Sequence, residues 1–209
     1  MIGTIVALRR YPIKSLAPQD LLSCAVESDG LEGDRRKAII VASEHARRSK
    51  PYRGKEHDEL HYATSEEEAM ALARDRGVET TIAHGARFFD DGSVSLITDR
   101  WLAQLAAHLG YDPGYERFRP NIFAEASDAC PDREEALLGR RLQIGACILD
   151  VVATIKRCVA VTYHQQGGEH DPQLLRVLAR KRENVMGVYC DVVKTGVIQR
   201  DDRILLIPR

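Results

Sequence analysis

Lys156-Arg157-Cys158 puts a thiol directly after two cations. Positive neighbours favour the thiolate, the form that attacks electrophiles and ligates metals. Read alone, the segment also suits an inert core thiol, because free cysteine packs like a small hydrophobe. Three further segments have anion-binding character. Tyr11-Pro-Ile-Lys14-Ser15 follows a strand-like run and offers an ammonium and a hydroxyl at a turn. Gly30-Leu-Glu-Gly-Asp-Arg35 has two glycines that let backbone approach a ligand, and Arg35 is a fork for phosphate. Arg117-Phe-Arg119-Pro-Asn121 sets Arg119 and Asn121 on either side of a turn-fixing proline. Each alone is compatible with an ordinary turn carrying a solvated base. Together they set multi-donor groups at strand ends, and a soft thiolate beside them suits a metal carried on a phosphorylated organic cofactor.

Other patterns are excluded. His57-Asp-Glu-Leu-His61 places two histidines at i and i+4, but Asp58 stands where the zinc-protease pattern needs glutamate. Its flanks have no apolar face, so a solvated charged loop is expected. There is no G-x-G-x-x-G, no P-loop, no G-x-S-x-G and no C-x-x-C. The five cysteines are scattered, without zinc or iron–sulfur spacing.

The elements that must position these groups are mostly strands. The chain has 209 residues, 44% hydrophobic and 29% charged, with a formal net charge of −1. That balance fits a soluble globular chain and argues against nucleic-acid binding. No apolar stretch approaches a membrane span. Met1 runs into a strand-like segment with no leader pattern, and the odd cysteine count fits reduced thiols, so a cytoplasmic location is expected. Strands are expected at 2–8, 21–26, 37–42, 121–124, 142–144, 147–153, 159–162, 188–193 and 203–207. Helices are expected after Ser65, over Asp99–Leu109 with Thr98 as N-cap, and over Pro172–Lys181 with Asp171 as cap. The polar stretch 43–64 has no periodicity and reads as a functional or disordered connection. Trp101 and Tyr111 read as packing residues, and Cys24, Cys147 and Cys190 as core thiols. Many short strands with few helices suggest a closed or partly closed β-barrel with helices at its rim.

Six segments in order resemble the MOSC domain family: YPIKSL (11–16), GLEGDRR (30–36), FRPNI (118–122), LQIG (142–145), KRCVAVT (156–162) and GVYCDVV…GVIQRDDRILL (187–206). The family is named for the C-terminal domain of molybdenum cofactor sulfurases and includes the mitochondrial amidoxime reducing component and its bacterial relatives. The resemblance implies a mostly β (α+β) fold, a MOSC-type β-barrel with a β-rich N-terminal region over 1–115, a MOSC core over 116–209, and a few flanking helices. It implies that the molybdenum cofactor, a molybdopterin, is bound with Cys158 as metal ligand. Lys14, Ser15 and Arg35 match positions that hold the pterin and its phosphate. Thr98 and Asp99 match the segment opening a helix, where backbone N–H groups can meet an anion. Arg119, Asn121, Lys156, Arg157 and Tyr189 match further cofactor contacts, and His164 or His170 could line the same pocket. Ile155 stands where the reductases often carry a second cysteine.

The activity implied is reduction of N-hydroxylated small molecules by oxygen removal at molybdenum, with electrons from separate proteins, a reductase and an iron–sulfur or haem carrier. The alternatives are a cofactor carrier or sulfur-transfer module with a persulfide on Cys158, and a barrel that serves only as an interaction module. Pyridoxal phosphate binding is a further family association.

Overall fold

A computed structural model describes residues 1–42, 48–53, 58–85, 87–89, 91–164 and 170–208. Its strands are β1 (Gly3–Arg10), β2 (Gln19–Leu21), β3 (Ser23–Glu27), β4 (Gly30–Leu31), β5 (Lys37–Val41), β6 (Thr80–His84), β7 (Val94–Thr98), β8 (Ile122–Ala126), β9 (Arg141–Ile144), β10 (Cys147–Lys156), β11 (Val185–Lys194), β12 (Gly196–Gln199) and β13 (Arg203–Ile207). The helices are α1 (Glu66–Asp75), α2 (Asp99–Leu109) and α3 (Pro172–Arg182).

Seven strands close a barrel in the order β13-β9-β10-β11-β7-β8-β1, with β1 pairing back to β13 and β2 added beside β1. Closure leaves the barrel no free edge among these seven. Every pairing in it is antiparallel except β7 with β8. That parallel pair needs a crossover, and α2 supplies it. All five residues of β7 are buried, because α2 covers the strand's outer face while its inner face lines the core. On β10 the buried Cys147, Leu149 and Val151 alternate with more exposed neighbours, as a strand with one face inward requires.

α2 is bounded as its residues dictate. Thr98 accepts from the Trp101 amide at the start, and Gly110 ends it at φ 84°. Trp101 is fully buried and its indole donates to the Pro131 carbonyl. Asp171 caps α3, and Tyr111 at the end of α2 donates to the Asp171 carboxylate. Tyr111 is therefore not a packing residue: it is 41% exposed and its hydroxyl ties the two helices together. A second apolar cluster, apart from the barrel core, gathers Ile13, Leu16, Ile39, Tyr52, Leu60 and Ala69 beside the β5–β6 hairpin and α1.

Two further expectations are corrected. Val159–Thr162 is a 3-10 turn rather than a strand, because the Thr162 hydroxyl donates to the Val159 carbonyl (2.6 Å) and closes the chain on itself. His61 is not in a solvated loop: it ends a 3-10 turn, Asp58–His61, and is 3% exposed. His57 lies outside the described residues. Among the described residues, no helix is long and apolar enough to cross a membrane.

Candidate functional site

The site forms where the end of β1 meets the starts of β7 and β8. Asn121 fastens that junction. Its side-chain oxygen accepts from the Ser95 amide and hydroxyl, and its amide donates to the Arg9 carbonyl. Asn121 is 1% exposed, so its role here is that of a strut between strands. Tyr189 on β11 is in register with Ser95. Its ring lies so close under Gly92 that a Cβ there would sit 2.5 Å from Cγ of the tyrosine.

Beyond the junction, Tyr11 is the hub. It is buried, its amide donates to Asp34, and its hydroxyl donates to the Pro120 carbonyl. The guanidiniums of Arg119 and Arg35 lie over its ring at 4.2 and 4.8 Å. Burial pushes the Tyr11 hydroxyl up to about 12 against the pull of both arginines, so it stays protonated at neutral pH. Both arginines have left-handed backbones, φ 48° at Arg35 and 51° at Arg119, conformations that non-glycine residues hold only when their surroundings impose them. Burial opposes the charge on Arg35, but the Asp34 carboxylate beside it, together with Tyr11 and Tyr189, more than offsets this and raises its pKa.

Arg119 donates to the Leu16 carbonyl and lies 3.5 Å from Nδ1 of His61, which is also 3.0 Å from the Ser15 carbonyl. A carbonyl can only accept, so Nδ1 carries the proton and donates to Ser15. The Lys14 ammonium reaches the Phe89 carbonyl at 3.3 Å.

Cys158 follows β10 and is the only exposed cysteine of the five. Arg157, before it, is held differently from Arg35. Its Nε and Nη2 donate to the Met186 carbonyl (2.8 and 2.6 Å), and Nη1 to that of Phe118 (2.8 Å). Among the described residues no carboxylate pairs with it. Burial therefore pulls its pKa down to about 10, opposed only by the weaker fields of Tyr189, Cys158, Tyr11 and Glu134. The three carbonyl bonds use three of the guanidinium's five N–H groups. Arg157 thus presents spare donors and an uncompensated charge beside an accessible thiol.

A buried carboxylate fixes this arrangement. Glu134 is fully buried, accepts from the Gly187 amide at 3.0 Å, and pairs with Arg182, itself 2% exposed. Gly187 is the residue after the carbonyl that orients Arg157, and at φ 93° a Cβ there would lie 2.7 Å from the Leu96 carbonyl oxygen. Gly187→Ala should cost about 3 kcal/mol from contact and backbone strain combined. Gly110→Ala, with a similar positive φ but nothing within 4 Å, should cost only about 1 kcal/mol. Urea denaturation of both variants checks the contrast.

Tyr11, Arg35, Arg119, Asn121, Arg157, Cys158 and Tyr189 are linked through these contacts and fields. Thr98 and Asp99 are not among them. They lie at the far end of β7 from Ser95, and their oxygens are engaged by Trp101 on one hand, Arg100 and Ala126 on the other. Lys156 is exposed and donates to the Glu183 carbonyl. Tyr11 and Asp34 fall within the segments that carry Lys14 and Arg35, but residue type alone does not mark either as a hub. Nothing in the local sequence marks Glu134, whose partner Arg182 is distant along the chain.

The profile of the MOSC domain matches residues 81–205. No curated protein matches the chain. Among solved structures it resembles the YuaD protein from Bacillus subtilis, with a TM-score of 0.58 and 16% identity over 98% of this chain and 94% of that one. It also resembles a hypothetical protein, with a TM-score of 0.55 and 11% identity over 100% of this chain and 70% of that one. At such identities these likenesses show a shared fold, in agreement with the closed barrel. With a profile match over more than half its residues, the chain belongs to the MOSC domain family.

Proposed function

We propose that this protein binds the molybdenum cofactor at the Cys158 end of the barrel and acts as a cytoplasmic oxidoreductase that removes oxygen from N-hydroxylated small molecules. The observation that carries this reading is the stacking of Arg35 and Arg119 on Tyr11, together with Arg157 held over Phe118 directly before the only exposed cysteine. The donor set fits the group. Among the described residues no three His, Cys, Asp or Glu side chains come together to hold a metal. Cys158 would be a single soft ligand to a metal that brings its other donors with it.

When bound, the cofactor supplies the two-electron redox chemistry, and the protein supplies binding and electrostatics. Cys158 anchors the metal as a thiolate. Arg119, with Lys14 nearby, neutralises the cofactor's phosphate; Arg35, its charge already matched by Asp34, adds hydrogen-bond donors, and Tyr11 keeps both guanidiniums in place through its ring. Arg157 adds positive charge next to the thiolate. Electrons come from separate donor proteins.

Protein produced in a host that makes the cofactor should carry about one molybdenum per chain, measured by elemental analysis. Absence of molybdenum, together with a mass increase of about 32 Da on Cys158, would replace this reading by the sulfur-transfer one.

A further inference from the structure

Next to Cys158, between the 3-10 turn Val159–Thr162 and α3, lies a cleft of about 400 Å³. Both neighbours of Cys158, Arg157 and Val159, line it. From these walls we infer that the cleft is a binding site for a small organic anion with an apolar body, and that it seats the non-reacting part of the substrate. This rests on the proposed reductase reading for the word substrate, but the binding site stands on its own chemistry.

The charge of the cleft has one sign. Among the described residues two guanidiniums, Arg157 and Arg176, line it, and no carboxylate does. Arg157 is the more telling of the two, because its bonds go to carbonyls alone. An anion in contact with its spare N–H groups would form charge-assisted hydrogen bonds, whereas a cation would meet like charge. The remaining wall is largely apolar, made by Val159, Pro172, Leu175 and Ala179, and rewards a ring or branched chain over a bare inorganic ion.

Two of its polar groups, Thr162 and His170, hold each other, while the side-chain oxygen of Asn184 is buried with no hydrogen-bond partner among the described residues. The Thr162 hydroxyl gives its one proton to the Val159 carbonyl, so at 2.6 Å from His170 Nε2 it can only accept. His170 therefore carries its proton on Nε2, and this bond pins the imidazole to the turn. The Arg117 guanidinium donates to the Thr162 carbonyl and holds the same turn from behind. The cleft is thus braced on the side of the turn before any ligand arrives, which lowers the entropic cost of binding. Its size suits a molecule the size of a substituted benzoate.

Benzoate and benzamidine form a probe pair of matched shape and opposite charge. In a ¹H–¹⁵N NMR titration of the full chain, benzoate should saturably shift the amides of Val159, Leu175 and Ala179, and benzamidine should not. Arg176→Met, a change on an exposed helix face, should weaken benzoate by about tenfold. Ala179→Trp, also exposed, should abolish binding by filling the cleft. Benzamidine binding as well as benzoate, no benzoate shifts at these amides, or benzoate binding unaffected by Ala179→Trp would each overturn the inference. The Cys158→Ala chain keeps the two readings apart. Benzoate should bind it as it binds the wild type, although its metal ligand is gone. Benzoate binding without molybdenum in the wild-type chain would sink the cofactor reading alone. Molybdenum without benzoate binding would sink the cleft alone.

Discussion

Cys158→Ala should lose all reduction of an N-hydroxylated substrate and all bound molybdenum, while its thermal midpoint stays near that of the wild type. The two halves of that expectation have separate causes. Cys158 is exposed and its thiol makes no hydrogen bond among the described residues, so truncating it should change stability by no more than about 0.5 kcal/mol. The other four cysteines are buried, and burial pushes the thiols of Cys147 and Cys190 well up from the ordinary range, to about 11 for Cys147. They are poor candidates for a thiolate ligand and cannot substitute for it. Cys158→Ser sharpens the result. It keeps the size and exposure of the side chain but replaces a soft sulfur by a hard, weakly acidic hydroxyl. If activity depends on a thiolate bound to metal, serine should fail as alanine does. Elemental analysis and a turnover assay with an added electron donor system measure both variants. Full activity in Cys158→Ala would end the assignment.

Local signals were legible in this sequence wherever one residue type has one structural use. Thr98 and Gly110 bound α2 as a cap and a left-handed stop, and Asp171-Pro172 opens α3. The β-branched run Val159–Thr162 misleads because a single side-chain hydrogen bond, from Thr162, outweighs strand propensity when no neighbouring strand is available. β7, Val94–Thr98, lacks the alternation of a half-buried strand because α2 covers its second face, which only the fold shows.

The site divides along the same line. The arginines at positions 35, 119 and 157 stand out by their turns and by the cysteine beside one of them. What sequence does not reveal is the partner each guanidinium finds. Arg35 meets the carboxylate next to it, while Arg157 meets only carbonyls. That difference, invisible in residue type, makes Arg157 the arginine whose charge still wants an anion. Of the amides that open this helix, those of Arg100 and Trp101 are taken up by the side-chain oxygens of Asp99 and Thr98.

Glu134→Ala should be the most destabilising single change near the site, and the reason also explains how Arg157 is held. Removing this carboxylate leaves Arg182 buried with its charge unmatched, a loss of about 3–5 kcal/mol. It also strips the Gly187 amide of its acceptor. For a chain of this length the thermal midpoint should fall by roughly 10 °C. Arg182 is not ideally served even in the intact pair, since its Nε finds no acceptor. Replacing both partners by apolar residues of similar volume, Glu134→Leu with Arg182→Met, should therefore recover most of the loss. A denaturation cycle over the two single variants and the double one should show a coupling of about 2–3 kcal/mol. Additive effects would mean that the two side chains do not depend on each other. Recovered stability should not recover the site in full, because leucine offers the Gly187 amide no acceptor. The peptide carrying the Met186 carbonyl then loses its anchor, and Arg157 loses part of what aims it. The double variant should melt close to the wild type yet bind benzoate and molybdenum more weakly, a separation that a purely structural ion pair would not produce.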